Sequence, residues 1–231
     1  MGDEVFGMTN FFSGGTGSFA EYLVVAASMV AHKPSSISHI TASGIPMVGV
    51  SAWQALVDYM QLSKNQKILI HGGNGGIGSI AIQIAKYLGA YVATTVSDHG
   101  EQFVKKLGAD EIINYHKHSF ENILNNYDAV LDTIGGSTYL NSFKILKNRG
   151  IIVSMLEEPN QELMKKHNVN AILEFTEISK ERLSKISKLV DEGIINVPIN
   201  KTFLLNEACD ALEYQKNNHP IGKVIIAVNN H

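Results

Sequence analysis

Residues Ile68 to Ser79 read ILIHGGNGGIGS. An apolar run enters a cluster of glycines, and the helical pattern IAIQIAKYLG follows at once. Glycine inside regular structure costs roughly 0.5–1 kcal/mol relative to alanine. Such a cluster is either a loose turn or a loop that lets something come close to bare backbone. Gly73-Asn74-Gly75-Gly76-Ile77-Gly78 matches G-x-G-x-x-G, with a strand-like run before it and a helix-like run after it, as that motif requires. In this reading Gly73 permits the tight turn, Gly75 lets backbone approach a pyrophosphate, and Gly78 lets the helix pack close to the strand. The helix N-terminus would offer free N–H groups and a partial positive charge. The alternative is a βα turn that binds nothing.

The surroundings favour the sharper reading. From Lys67 onward, strand-like apolar runs alternate with helical patterns: KILIH (67–71), YVATTV (91–96), EIINY (111–115), YDAVLDT (127–133) and GIIVSM (150–155). The helical stretches between them are Ile77–Leu88, Glu101–Leu107, Phe120–Leu124 and Thr138–Leu146. Short continuous apolar strands separated by helices predict βαβ units and a buried parallel sheet. AILEFT (171–176) reads as a further strand, and Ser179–Gly193 as an amphipathic helix with Ser179 as N-cap and Gly193 as its stop. The tail is strand, helix, strand, a change of pattern that predicts a second structural unit. Before the sheet, FFSGGTGS (11–18) reads as a Gly/Ser loop and Phe19–Val25 as a strand. The second half of Ile40–Tyr59 reads as a helix.

The residues at the end of the second strand decide which dinucleotide is taken. A carboxylate there accepts from a ribose 2′-OH and repels a 2′-phosphate. The sequence is Thr94-Thr95-Val96-Ser97-Asp98-His99. Thr95 and Ser97 carry hydroxyls able to donate to a phosphate, whereas Asp98 comes one residue late and could equally cap the helix starting near Glu101. NADP is favoured over NAD on this count, with Ser97 as an ordinary turn serine the alternative. The nearest cations are His99 and Lys105, and Lys105 reads as a solvated helix residue. His71, at the end of the first strand, reads as structural rather than as a proton donor. Asp132-Thr133-Ile134-Gly135-Gly136 ends the fourth strand, where ligands of open α/β sheets bind, although Gly-Gly is also an ordinary turn.

The bulk numbers set the frame. The chain has 231 residues, 45% hydrophobic and 18% charged, with a net charge of −3. That is an ordinary globular composition, and it points to neither a nucleic-acid nor a membrane partner. The single cysteine, Cys209, fits a reducing compartment, and no cysteine cluster exists to hold zinc. MGDEVFGM lacks the order of a signal peptide, and Phe6 stands where a myristoylation signal wants Ser or Thr. The expectation is a cytoplasmic protein.

Taken together the stretches resemble the medium-chain dehydrogenase/reductase superfamily, in its zinc-independent quinone oxidoreductase-like branch. GDEVFG (2–7), GSFAEYLVV (17–25), Lys33-Pro34, GIPMVGVSAWQAL (44–56), HGGNGGIGSIAIQIAKYLGA (71–90), LGADEIINY (107–115), VLDTIGG (130–136), GIIVSM (150–155), LVDEGIINVPI (189–199) and IGKVIIAV (221–228) fall in family order. The resemblance implies an α/β fold: a Rossmann-type doubly wound parallel sheet with a partial GroES-like β-rich domain. Residues 1–42 would be a remnant of the GroES-like catalytic domain, 43–177 the dinucleotide-binding domain and 178–231 a return to the catalytic domain.

The resemblance also implies a function. An NADPH-dependent enzyme would reduce a quinone or α,β-unsaturated carbonyl, a small-molecule substrate, without zinc; NADH is the less favoured cofactor. Asn74, Gly75, Gly76 and Ile77 would hold the pyrophosphate within the Gly73–Gly78 loop. Ser97 and Tyr115 would flank the 2′-phosphate and adenine ribose. Thr133 and Met155 would line the nicotinamide side, Ser51 would stand near the ring, and Lys223 would reach the cofactor or remain a surface lysine. The lysine that often follows the second strand is absent. No cysteine stands near Pro46–Ser51, where the zinc branch carries a ligand. Family members are commonly dimers through the strand near AILEFT, so a homodimer is expected. The family's chains begin well upstream of GDEVFG, so the expectation is that most of the N-terminal catalytic domain is missing. A non-catalytic NADP(H)-binding module or an inactive truncated remnant is the competing reading.

Overall fold

The computed structural model describes residues 1–9 and 17–228. Most of the expected FFSGGTGS loop therefore lies outside the described residues. The chain divides into two compact units, one formed by Met1–Val50 with Glu177–His231 and the other by Ser51–Thr176.

In the first unit, β1 (Val5–Gly7) pairs antiparallel with β2 (Val30–His32), Val5 opposite His32. Phe19–Val25, expected as a strand, is not one. The segment is bent at Ala20 and Glu21 and carries no regular structure, with Tyr22 91% and Val24 93% exposed. A strand needs a neighbouring ladder to be stable, and among the described residues none pairs with this one.

The helical stretch Ile40–Tyr59 is broken into pieces. α1 (His39–Ser43) is capped by Ser38, whose Oγ accepts from the Thr41 amide at 3.2 Å. Gly44 and Ile45 separate it from α2 (Pro46–Trp53), where proline takes a helix-starting position that needs no N–H. The boundary between the two units falls inside α2. A π-helical turn, Gln54–Tyr59, follows.

The second unit is a six-stranded parallel sheet. Its elements are β3 (Lys67–His71), α3 (Gly76–Tyr87), β4 (Tyr91–Val96), α4 (Glu101–Lys106), β5 (Glu111–Asn114), β6 (Tyr127–Asp132), α5 (Gly136–Ser142), β7 (Leu146–Ser154), α6 (Gln161–His167) and β8 (Asn170–Leu173). The strand order is β5-β4-β3-β6-β7-β8, and every pairing is parallel. The chain winds outward from β3 to β5, returns to lay β6 beside β3, and winds outward the other way. This is the doubly wound arrangement, with its switch point between β3 and β6.

The strands are continuously apolar because both faces are covered. Leu69 joins Val130, Tyr139, Phe143 and Ile152 in one core cluster, while Ile68 and Ile70, equally buried, point to the opposite face. α3 packs on β3 and β4, and its residues Gly78–Ala85 are all buried.

Two helix expectations shrink. Phe120–Leu124 supplies only a 3-10 turn, Phe120–Asn122, and the helix read as Thr138–Leu146 ends at Ser142, because Leu146 already begins β7. α6 escaped the sequence reading because seven residues ending LMKKH carry no apolar stripe. It starts where Asn160 Oδ1 accepts from the Leu163 amide at 3.0 Å.

The first unit resumes with α7 (Lys180–Asp191), β9 (Ile199–Leu204), α8 (Ala208–Asn218) and β10 (Lys223–Ala227). β10 pairs parallel with β9, as the strand–helix–strand pattern requires. α7 packs on β2, where Ser187 Oγ donates to the His32 carbonyl at 3.2 Å. Gly193, φ 74°, stands just past its end, and Ser179 caps its start by accepting from the Arg182 amide at 3.2 Å. Among the described residues no helix is long and apolar enough to cross a membrane.

Removing the α7 cap isolates one local term of this architecture. Ser179→Ala is expected to destabilise the protein by about 1 kcal/mol. Thermal melting should register this as a fall in Tm of roughly 2–4 °C.

Candidate functional site

Because the strands of the sheet run parallel, the segments that leave β3, β4, β5, β6 and β7 all emerge on one edge. Gly73–Gly78 follow β3, Ser97 follows β4, Tyr115 follows β5, Thr133 follows β6 and Met155 follows β7. Ser51, in α2, is buried, and its Oγ lies 2.6 Å from Thr176 Oγ1, just past β8. Lys223 alone belongs to the other unit, on β10, where burial lowers its pKa.

The glycine loop is shaped by steric necessity. The left-handed turn falls on Gly72, φ 68°, and not on Gly73 as the motif spacing suggested. Gly73 is required for a different reason: a Cβ there would overlap the Thr94 hydroxyl. A Cβ on Gly78 would overlap the carbonyl oxygen of Gly72, so the first turn of α3 lies directly on the end of β3.

Gly75 is the N-cap of α3, and among the described residues no side chain caps that end. The N–H groups of Gly76, Ile77 and Gly78 precede the first intrahelical bond, which runs from the Ser79 amide to the Gly75 carbonyl at 3.0 Å. A Cβ at Gly75 would meet only the Gly72 oxygen, at 3.3 Å. Open backbone donors at a helix N-terminus, with little around them, suit an anion.

Beside the loop, β6 and β7 are clasped at their ends. Asp132 is fully buried, and its Oδ1 accepts from the amides of Ile134 (3.1 Å) and Gly135 (3.0 Å). Its Oδ2 accepts from Ser154 Oγ at 2.7 Å, and Ser154 Oγ in turn accepts from the amides of Leu156 and Glu157. Asp132 therefore shapes the loop rather than capping α5, whose N-cap is Gly135, φ 77°. Thr133 Oγ1 donates to the His71 carbonyl at 2.8 Å, which ties the β6 loop to the end of β3. The segments beyond β6, β7 and β8 expose Ile134, Leu156 and Phe175.

His71 is structural, as its position suggested. It is fully buried, with Nδ1 3.0 Å from Thr95 Oγ1 and Nε2 2.9 Å from Ser142 Oγ. The Ser142 hydroxyl already donates to the Thr138 carbonyl at 2.7 Å, so Nε2 is the donor to Ser142 and Nδ1 accepts from Thr95. Burial of this neutral ring lowers its pKa to about 3. The Thr95 hydroxyl, read from sequence as a phosphate donor, is turned inward to His71 and also accepts from the Gly72 amide at 3.3 Å.

At the ends of β4 and β5 the structure adds residues that the sequence reading passed over. Asn114 is buried and donates through Nδ2 to Asp98 Oδ1 (2.6 Å) and Glu101 Oε1 (2.7 Å). Lys117 Nζ lies 2.6 Å from Asp98 Oδ1 and 3.7 Å from Glu101 Oε1. The Lys117 ammonium, and after it Asn114, hold Asp98 below its ordinary pKa, and Asp98 raises that of Lys117. Asp98 thus sits in a 3-10 turn, Asp98–Gly100, as a charge partner rather than as a helix cap. Tyr115 is 55% exposed, its ring centroid 4.5 Å from that of His116. The sequence signal for this pair is a cation two residues beyond Tyr115.

A doubly wound parallel sheet with a glycine-rich turn at its switch point defines the dinucleotide-binding class of α/β proteins. The sequence model of a family described as zinc-binding dehydrogenases matches residues 107–226. The mitochondrial NAD(P)H oxidoreductase RTN4IP1 of Mus musculus is 33% identical over 98% of this chain and 65% of its own length. The chloroplastic NADPH-dependent alkenal/one oxidoreductase of Arabidopsis thaliana is 30% identical over 91% of this chain and 53% of its own length. The structure of the quinone oxidoreductase from Coxiella burnetii superposes with a TM-score of 0.90 at 32% identity, covering 99% of this chain and 73% of that one. The chain belongs to the medium-chain dehydrogenase/reductase superfamily and is quinone-oxidoreductase-like. It spans 63–65% of the length of the RTN4IP1 proteins it matches. Among the described residues no group of three or more His, Cys, Asp or Glu side chains is arranged to hold a metal ion.

Two outcomes test this geometry. Gly78→Ala should destabilise the protein by more than about 2 kcal/mol, and Gly75→Ala by less than about 1 kcal/mol, read as separate shifts in thermal melts. For His71, a folded-state pKa of about 3 against an ordinary 6.5 means that the unfolded chain binds the extra proton first. Its contribution is complete above pH 6.5 and is lost as pH falls towards 3, at roughly 1 kcal/mol or somewhat more per pH unit. His71→Gln should flatten that acid limb of the stability profile.

Proposed function

We propose that this chain is the cofactor-holding part of an NADPH-dependent oxidoreductase that reduces a quinone or an α,β-unsaturated carbonyl without zinc. The observation that carries the reading is the glycine loop: open first-turn amides of α3 at the switch point, with room above Gly75 for a pyrophosphate. When bound, the nicotinamide supplies hydride to an electron-poor carbon of the substrate.

The chain's own residues would bind and orient. Gly73, Asn74, Gly75, Gly76, Ile77 and Gly78 would hold the phosphates. Ser97 and Tyr115 would flank the 2′-phosphate and ribose, with NADH the less favoured cofactor. Thr133, Met155 and Ser51 would line the nicotinamide side, and Lys223 is a further cofactor contact. Exposed Ile134, Leu156 and Phe175 suit an apolar small-molecule substrate. The zinc-free route is supported by Pro46–Ser51, which carries no cysteine.

We assign residues 1–42 to a GroES-like part, 43–177 to the dinucleotide-binding part and 178–231 to a return to the first. A homodimer is supported by β8, which among the described residues is an edge strand with one side unpaired in the sheet. The cytoplasm is the proposed compartment.

Calorimetric titration of the 231-residue chain with NADPH and NADH tests the reading. NADPH should bind more tightly, and NADPH oxidation should then follow on addition of a quinone or an enone. Binding without turnover would make the chain a non-catalytic NADP(H)-binding module. Binding of neither would overturn the dinucleotide reading.

A further inference from the structure

The third glycine of the loop motif is Gly78, and twenty residues on stands Asp98, at the separation where a ribose-binding carboxylate belongs. Its turn is packed against the glycine loop, since a Cβ on Gly100 would lie 3.1 Å from both Cβ and Cγ of Asn74. A carboxylate so placed selects a 2′-hydroxyl and repels a 2′-phosphate. Here that carboxylate is already occupied. Lys117 Nζ sits 2.6 Å from Asp98 Oδ1 and Asn114 donates to the same oxygen at 2.6 Å. Lys117 also leans on Glu101 at 3.7 Å, and His116 adds to the field on Asp98. The pair is exposed, and an exposed ion pair contributes little to folding. Asp98 follows Ser97 at the end of β4, and Lys117 lies two residues beyond Tyr115 at the end of β5.

Resting on the dinucleotide-binding reading above, we propose that Lys117 sets the cofactor preference by two effects. Its ammonium masks the Asp98 carboxylate that would otherwise select a 2′-hydroxyl. It also supplies, from the end of β5, the cation for a 2′-phosphate that this chain lacks just after β4. The Asp98–Lys117 pair then works as a specificity element, and Asn114 is the positioning residue that holds Asp98 and Glu101 towards it.

The test is calorimetric binding of NADPH and NADH to the whole chain and to two variants. In Lys117→Met, the affinity ratio of NADPH to NADH should fall about tenfold or more, the scale of one lost charge-assisted hydrogen bond, with NADPH binding weakened and NADH binding held or tightened as Asp98 is freed. In Asp98→Asn the ratio should rise, because Lys117 is freed and the repelling carboxylate is gone. An unchanged ratio in both variants, or an equal loss for both cofactors, would reduce the pair to a structural contact and overturn the proposal. If the unaltered chain binds neither dinucleotide, the underlying reading fails first, which separates the two failures. Asp98→Asn keeps the side-chain volume and serves alone should Lys117→Met fail to fold.

Discussion

The carbonyl of Gly72 and the α-carbon of Gly78 lie so close that no side chain fits between them, and the site depends on that closeness. It sets the first turn of α3 directly above the end of β3. The three open amides of that turn then face the switch point rather than a neighbouring side chain. Once β3 is anchored there, parallel pairing with β4 and β6 leaves no freedom in where those strands end. His71 lies opposite Thr95, and Asp132 lies opposite Ser154 on the next pair. Register converts a local steric fact into a row of loop starts along one edge.

The polar residues at these strand ends serve the same purpose. A parallel sheet covered on both faces cannot leave a hydroxyl or carboxylate unmatched without loss of stability. Asp132 meets this demand with two amides and one hydroxyl, and in doing so it fixes the loops after β6 and β7. His71 joins Thr95 on β4 to Ser142 on α5 and stays neutral because water is excluded. Groups that look catalytic by type are here the fasteners that hold backbone donors in position. The residues that remain open, such as Tyr115 and the first-turn amides, are those with no fastening to do.

Local pattern revealed most of the sheet. β3 to β7 read as continuous apolar runs because burial on both faces demands it, and the Ser179 cap and the α3 helix followed from residue type alone. The failures share a physical cause. Phe19–Val25 reads as a strand from its apolar residues, but a strand exists only where a partner ladder does, and that is a tertiary fact. α6 is too short to show an apolar stripe, and Phe120–Leu124 too short to sustain more than a turn. At the site, motif spacing located the glycine loop but put its left-handed residue one position late. Thr95 looked open in sequence, and only the strand's pleat turned it inward.

Charge at the end of β4 shows where spacing alone stops. From the sequence, Asp98 is a lone acid near a ribose position, and Lys117 is a surface residue nineteen positions away (117 − 98). Parallel pairing of β4 with β5 sets Val96 beside Asn114, so the residues that follow each strand are brought together. Asn114 then gathers two carboxylates, and Lys117 pairs with one of them, Asp98. The sign of the local field is therefore a property of the sheet register and not of either segment. A carboxylate at the expected spacing argues for one cofactor only while it is free, and here the fold provides its counter-ion.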